Sequence, residues 1–214
     1  MVHLIREAQG EPEGALILNH DRGTSEQDLY ALLDELDPDR RLLGVTPGAP
    51  LTNIAPGGRH WYIVARVGHP DPETFGTSYD LLTTFLDELL ADRGIAWERA
   101  VVGGFSMGAV MSYAVGLGPG RPSPAGIVAL SGFVPTVEGW EPELESRQGQ
   151  PVAIRHGSGD PVIDVGFARR ARELLSEGGL DVDYMETDAG HWVSPELLPP
   201  LREFVARATS DAAG

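Results

Sequence analysis

The pentapeptide Gly104-Phe105-Ser106-Met107-Gly108 constrains this chain more than any other feature in it. Ahead of it, Ala100-Val101-Val102-Gly103 reads as a short buried strand. Behind it, Met107 to Val115 is a run of small and apolar residues that reads as a helix. A strand that becomes a helix within so few residues turns sharply, which lifts the Ser106 hydroxyl above the sheet in a strained, exposed position. Glycines at 104 and 108 let the neighbouring backbone approach without a side-chain clash. The helix N-terminus sits under the serine, so the Met107 N–H is free to hold an oxygen that gains negative charge. Val101 to Gly120 carries no charge and would resemble a membrane span on hydropathy alone. Its glycines, its Ser and Tyr residues and its strand-like start divide it instead into strand, turn and helix.

A serine nucleophile needs a base, and the base needs an orienting acid. Of the histidines at 3, 20, 60, 69, 156 and 191, only His191 lies far enough downstream in suitable surroundings. Leu180 to Glu186 alternates apolar and acidic residues, the pattern of a half-buried edge strand, and Thr187 to Trp192 follows as a loop. A new helix is expected from there, with Ser194 as its N-cap, Pro195 in its first position and Glu196 in its first turn. A histidine on a loop just past a strand end is where an α/β sheet places reactive groups. The acid is expected at Asp160, in the turn Gly157-Ser158-Gly159-Asp160-Pro161 that follows the buried strand Pro151 to His156. Asp164, placed to cap the next helix, and Asp188, three residues before the histidine, are the competitors.

With these residues in this order, the chain resembles the carboxylesterase and phospholipase family of α/β-hydrolases, which includes bacterial carboxylesterases, lysophospholipases and acyl-protein thioesterases. The likeness runs from about Ala15 to about Ala208. It rests on Gly104 to Gly108, Ser131-Gly132-Phe133, His156-Gly157-Ser158-Gly159-Asp160-Pro161-Val162 and Gly190-His191. It implies an α/β-hydrolase fold and a catalytic Ser106–Asp160–His191 set. Members usually carry His-Gly after the first central strand, and the next residue donates the second oxyanion N–H. Here Ala15 to Asn19 is followed by His20-Asp21-Arg22-Gly23, so Arg22 becomes the implied donor beside Met107, and Asp21 stands where the glycine is expected. A carboxylate facing a developing oxyanion would repel it. Asp21 is therefore expected to point outward or to bond Arg22 and local N–H groups in an Asx turn. His20 then reads as a structural loop residue.

Composition removes several function classes. The net charge is −16, and every one of the 16 side-chain cations is an arginine, so nucleic acid is excluded as a partner and stable membrane insertion is not expected. The chain has no cysteine, which excludes disulfides, thiolate catalysis and cysteine-ligated metals. Met1 to Gly10 has no apolar segment of the signal-peptide kind, so a cytoplasmic location is the expectation. No histidine pair has metal-ligand spacing on a helix, and no Gly-rich phosphate loop follows the first strand, so neither cofactor nor metal is expected. A small-molecule ester is the expected partner; a homodimer is left open.

The expected architecture is one domain over residues 1–214, with a frayed tail at 209–214. Strands are expected at His3 to Arg6, 15–19, Arg41 to Val45, 100–103, 126–130, 151–156 and 181–186. Helices are expected at Glu26 to Leu36, Tyr79 to Arg93, Met107 to Val115, Val165 to Glu177 and Pro195 to Ala208. This alternation implies a mostly parallel sheet with helices on both faces. There is no room for a large lid domain; the longest excursion is the loop from Pro47 to Gly76. Trp61, Tyr62, Phe75, Phe133 and Trp192 are the candidate pocket residues. The function expected from all of this is a serine carboxylesterase acting on short- to medium-chain esters through an acyl-enzyme. A lysophospholipase or an acyl-thioester hydrolase is the alternative within the enzyme class, and a non-catalytic ligand-binding protein on the same scaffold the alternative outside it.

Overall fold

A computed structural model describes residues 1–211. Seven strands form one sheet: β1 (His3–Arg6), β2 (Ala15–Asn19), β3 (Leu43–Pro47), β6 (Ala100–Phe105), β7 (Gly126–Leu130), β8 (Pro151–Gly157) and β9 (Asp181–Thr187). Their spatial order is β1-β3-β2-β6-β7-β8-β9. Only β1 runs antiparallel to its neighbour; the other five pairings are parallel. A small hairpin, β4 (Val64–Arg66) and β5 (His69–Pro70), stands apart from the sheet. Parallel strands need crossovers, and the helices that supply them cover both faces. On one face α2 (Pro72–Asp92), α3 (Met107–Leu117) and α4 (Gly166–Glu177) pack over Ile17, Val102, Ala129 and Ile154. On the other, α1 (Tyr30–Leu36) and α5 (Leu198–Asp211) pack over Leu16, Leu18, Val101 and Val128. Adjacent residues of β2 thus feed opposite cores, as the period-two pleat requires. This is the α/β-hydrolase architecture without an inserted lid.

The uncharged segment after the elbow is α3, and every residue of it is buried. The charged and polar stripes appear instead on the outer helices. On α2, Leu82, Leu86 and Leu90 face the core, while Tyr79, Phe85 and Leu89 pack at its edge.

Several element ends differ from those expected, each for a local reason. Helix α2 begins at Pro72, seven residues before Tyr79, because the Asp71 side chain accepts the Thr74 N–H at 2.9 Å and proline tolerates the first helical position. The long loop is correspondingly shorter. Helix α1 begins at Tyr30 rather than Glu26. Asp28 is drawn into a turn, where its carboxylate accepts from Thr24 Oγ1 at 3.2 Å and the Asp21 N–H at 3.3 Å. Strand β3 starts at Leu43 rather than Arg41, since the Asp37 carboxylate takes the Arg41 and Leu42 N–H groups at 3.1 and 3.0 Å. Pro195–Leu197 forms a 3-10 turn, and Ser194 makes no capping bond; its hydroxyl lies 3.1 Å from Glu196 instead. The α-helix proper starts at Leu198, so Pro199 and Pro200 sit in a first turn that needs no N–H from them. At the C-terminus, Thr209 is buried with its hydroxyl on the Val205 carbonyl at 2.9 Å, so the tail expected from 209 is helical to Asp211. Residues 212–214 of that tail lie outside the described residues. Among the described residues no helix is long and apolar enough to cross a membrane.

Candidate active site

Ser106 occupies the turn between β6 and α3 with φ 54° and ψ −115°. A non-glycine residue at positive φ is strained, and it persists where the surroundings over-determine it. Here they do. The Ser106 N–H donates to the Leu130 carbonyl at 2.8 Å, and the Ser106 carbonyl accepts the Ala109 N–H at 3.0 Å. A Cβ on Gly104 or Gly108 would collide with the Asn19 carbonyl, so only glycine lets the end of β2 lie against this elbow.

The chain then brings Asp160 and His191 to the serine. The Ser158 N–H donates to the Thr187 carbonyl at 2.8 Å, and the Gly159 N–H to the Ala189 carbonyl at 3.0 Å. These bonds tie the loop after β8 to the loop after β9. A Cβ on Gly157 would strike the Ala189 and Gly190 carbonyls, so the two loops close on a glycine. As a result, His191 Nδ1 lies 2.7 Å from Asp160 Oδ2, and its Nε2 lies 2.9 Å from Ser106 Oγ. Phe105 packs against the imidazole with ring centroids 4.8 Å apart. The other Asp160 oxygen accepts the Val162 and Ile163 N–H groups at 2.8 and 2.9 Å. Burial pushes the Asp160 carboxyl up, but the bonds from His191 and the two N–H groups outweigh it and hold the group below the usual carboxylate range. Asp164 and Asp188 are exposed, and Asp164 bonds the Gly166 N–H at 2.8 Å, ahead of α4.

His156, the first residue of the segment that ends in Val162, is a neighbour of Asp160 to which no role was assigned from the sequence. Its Nε2 lies 2.8 Å from the Ile163 carbonyl and 3.3 Å from Asp160 Oδ2, fully inside the protein. Its position four residues before Asp160 was the available signal, but that spacing is uninformative where a strand turns into a loop.

Of the two courses expected for Asp21, the structure takes the second: it bonds local N–H groups rather than pointing outward. One carboxylate oxygen accepts the N–H of Arg22 and, at 3.4 Å, the N–H of Met107. These are the two groups expected to hold a substrate oxyanion. His20 is buried beneath them: its Nε2 accepts the Ala49 N–H at 3.0 Å, and its Nδ1 lies 2.6 Å from the Asp21 carbonyl. Burial foremost lowers the His20 pKa, so the imidazole is a neutral brace with both nitrogens engaged.

A small pocket, with a cavity of about 60 Å³, opens over Ser106, lined by Tyr62, Met107, Phe133 and Ile163 with Arg22 and Arg66 among its other walls. Tyr62 and Phe133 therefore lie where a pocket residue should. Trp61, Phe75 and Trp192 do not line it. Trp61 is fully buried because its indole N–H found the His20 carbonyl at 3.0 Å, which turns the ring inward. Phe75 lies on the buried face of α2 against Tyr62 and Trp140. Trp192 is 58% exposed, folded back over Gly190, where a Cβ would meet its ring. Among the described residues, no group of three or more His, Asp or Glu is placed to hold a metal ion.

The chain matches the phospholipase/carboxylesterase family model over residues 2–209. It belongs to that family. The hydrolase is 30% identical to acyl-protein thioesterase 1 of Debaryomyces hansenii over 75% of this chain and 74% of that protein. Among solved structures, the Bacillus cereus carboxylesterase superposes with a TM-score of 0.84 at 20% identity, covering 96% of this chain and 93% of that one. Esterase PE8 superposes with a TM-score of 0.81 at 24% identity, covering 96% and 97%. The family assignment makes this an enzyme of the hydrolase class, and the structural likeness is one of fold.

Proposed function

We propose that this hydrolase is a serine carboxylesterase for short- to medium-chain acyl groups, with Ser106 as nucleophile, His191 as base and Asp160 as the orienting acid. The observation that carries the reading is the unbroken run of contacts from Ser106 Oγ to His191 Nε2 at 2.9 Å and from Nδ1 to Asp160 at 2.7 Å, under an open pocket. His191 takes the serine proton as Oγ attacks the acyl carbon. It then returns that proton to the leaving alcohol, and activates the water that splits the acyl-enzyme. Asp160, held ionised, keeps Nδ1 protonated so that Nε2 faces the serine as acceptor. The Met107 and Arg22 N–H groups receive the carbonyl oxygen, each such donor contributing about 3 kcal/mol to the transition state. That requires the Asp21 carboxylate to leave them first; Asp21 is only half-buried, on a loop, so its side chain has water to turn into. The cavity, at about 60 Å³, lies well below the roughly 300–1,000 Å³ of drug-sized small-molecule sites, which favours short acyl chains.

An acyl-thioester substrate has a specific observation in its favour, since the curated relatives are named acyl-protein thioesterases. A thioester carbonyl needs the same nucleophile and the same hole. Initial rates on p-nitrophenyl esters from acetate to palmitate, beside a matched butyryl thioester, separate the two, with Ser106→Ala run alongside. Turnover that peaks at short acyl esters and vanishes in the variant supports the carboxylesterase. A thioester rate at least tenfold above the matched ester transfers the assignment. No turnover, and no labelling of Ser106 by an organophosphonate, would leave a ligand-binding scaffold.

A further inference from the structure

This chain has twice as many carboxylates as guanidiniums, 32 against 16. In such a protein an arginine without a partner is the exception. All but two of the arginines meet a carboxylate, a backbone carbonyl or an aromatic ring. Among the described residues, the guanidiniums of Arg22 and Arg66 alone have no hydrogen bond, ion pair or ring contact. Both line the pocket over Ser106. They come from unrelated segments, Arg22 from the loop after β2 and Arg66 from the end of β4, so their meeting is a tertiary event. No Asp or Glu is among the lining residues. The carboxylate next to Arg22 in the chain, Asp21, is bonded to backbone N–H groups and to neither guanidinium. Tyr62 aside, the remaining walls are apolar: Val64, Val67, Met107, Phe133, Val162 and Ile163.

We propose that Arg22 and Arg66 form an anion-recognition subsite, so that the preferred substrate is a small ester or thioester bearing a carboxylate or phosphate a few bonds from its carbonyl. The inference rests on the hydrolase reading of Ser106. A guanidinium offers planar paired donors to the oxygens of either anion, and its carbon stem tolerates an apolar wall. The rest of the molecule opposes such a substrate. A net charge of −16 repels anions at long range, and two free cations at the mouth give an anionic substrate one place where the local field is favourable. The backbone N–H pair beside Ser106 already holds a carboxylate, that of Asp21, so this corner of the protein is built to receive negative oxygen.

The test compares kcat/KM within matched pairs. Monoethyl glutarate against ethyl butyrate reads a carboxylate on the acyl side. 1-Butyryl-glycerol-3-phosphate against monobutyrin reads a phosphate on the alcohol side. At least one pair should favour the anion about tenfold, equivalent to about 1.4 kcal/mol at 25 °C, and the responding pair identifies the anion. Because the ratio is taken within each protein, a general change in activity cancels. In Arg22→Gln/Arg66→Gln the ratio should fall to within about twofold of unity, and 0.5 M salt should compress it in the wild type. Ratios near one in both pairs, or a preference that survives the double substitution, would overturn the subsite. If p-nitrophenyl butyrate is turned over and Ser106→Ala abolishes that turnover, such a result removes the subsite alone. If folded protein hydrolyses no ester and Ser106 is not labelled by a phosphonate, the hydrolase reading fails instead. Calorimetric titration with monoethyl glutarate then still reads the subsite: binding by the wild type that is lost in the double variant supports it, and equal or absent binding overturns it.

Discussion

Replacing Asp21 by glycine should make this enzyme faster. In the structure the Asp21 carboxylate occupies the Arg22 N–H and, at 3.4 Å, the Met107 N–H, so a substrate oxygen must displace it before either donor is available. A hydrogen bond to a charged group contributes about 1.5–3 kcal/mol net, and the longer contact lies outside good geometry and adds little. Displacement therefore costs about 2–3 kcal/mol, which corresponds to about 30- to 150-fold in kcat/KM. Glycine loosens the loop and returns about 1 kcal/mol of that, leaving a gain of about 5- to 30-fold. Asn, with the same shape and no charge, should fall between the two. The assay is kcat/KM on p-nitrophenyl butyrate with the rate of phosphonate labelling of Ser106, each protein's fold checked by thermal melting. Folded Asp21→Gly and Asp21→Asn proteins that are no faster than wild type would refute the idea that this carboxylate competes for the hole.

Asp160→Asn should lower kcat by up to about ten-thousand-fold, the loss known for a protease triad whose acid is amidated. Asn can accept the Val162 and Ile163 N–H groups through its oxygen only by turning its NH2 toward His191 Nδ1, which selects the wrong tautomer; a loss under tenfold in a protein of unchanged melting temperature would count against it. Gly108→Ala should destabilise by about 1–3 kcal/mol, because the added carbon meets the rigid Asn19 carbonyl. Gly76→Ala in α2, with nothing within 4 Å of the new carbon, should be neutral or stabilising, and equal melting of the two variants would contradict the packing argument. Arg169, Tyr184 and the other neighbours hold Glu186 at about 2 against an ordinary 4.5, so the contact is fully formed above pH 4.5 and is lost as pH falls toward 2. The side chain is one-quarter exposed, so the contribution stays under about 1 kcal/mol. Melting of wild type and Glu186→Gln should differ at pH 7, and the gap should narrow below pH 4.5 and close near pH 2; a gap independent of pH would exclude this pairing as its cause.

Much of the site could be read from local pattern. The elbow is legible because a strand, a serine between glycines and an uncharged helix form one continuous segment, whose geometry depends mainly on nearest neighbours and on the close approach of Asn19. His191 and Asp160 are legible because each lies just past a strand of clear periodicity, and parallel strands deliver their C-terminal loops to one edge of the sheet. The missed start of α2 was also available locally, in Asp71 followed by Pro72 and Thr74.

What local pattern could not supply is direction. Asp21 was conspicuous as a residue, yet whether its carboxylate faced water or the Met107 N–H depended on where β2 and α3 meet, 86 positions apart in the chain. Trp61 and Phe75 sit in a segment that the sequence places near the pocket, but a buried indole must satisfy its N–H, and the His20 carbonyl did so from inside. Trp192 neighbours His191 in sequence and still does not line the pocket, its exposed ring lying back against Gly190. Arg66 had no signature at all; it matters only because a hairpin carries it to the pocket wall that Arg22 shares. The sequence by itself determined the fold and the places of Ser106, Asp160 and His191 just past their strands, because short-range sterics and the order of strands and loops dictate them. Only the tertiary structure decided what bonds the Arg22 and Met107 N–H groups and which charges line the pocket, because those depend on side-chain directions set by contacts between distant segments.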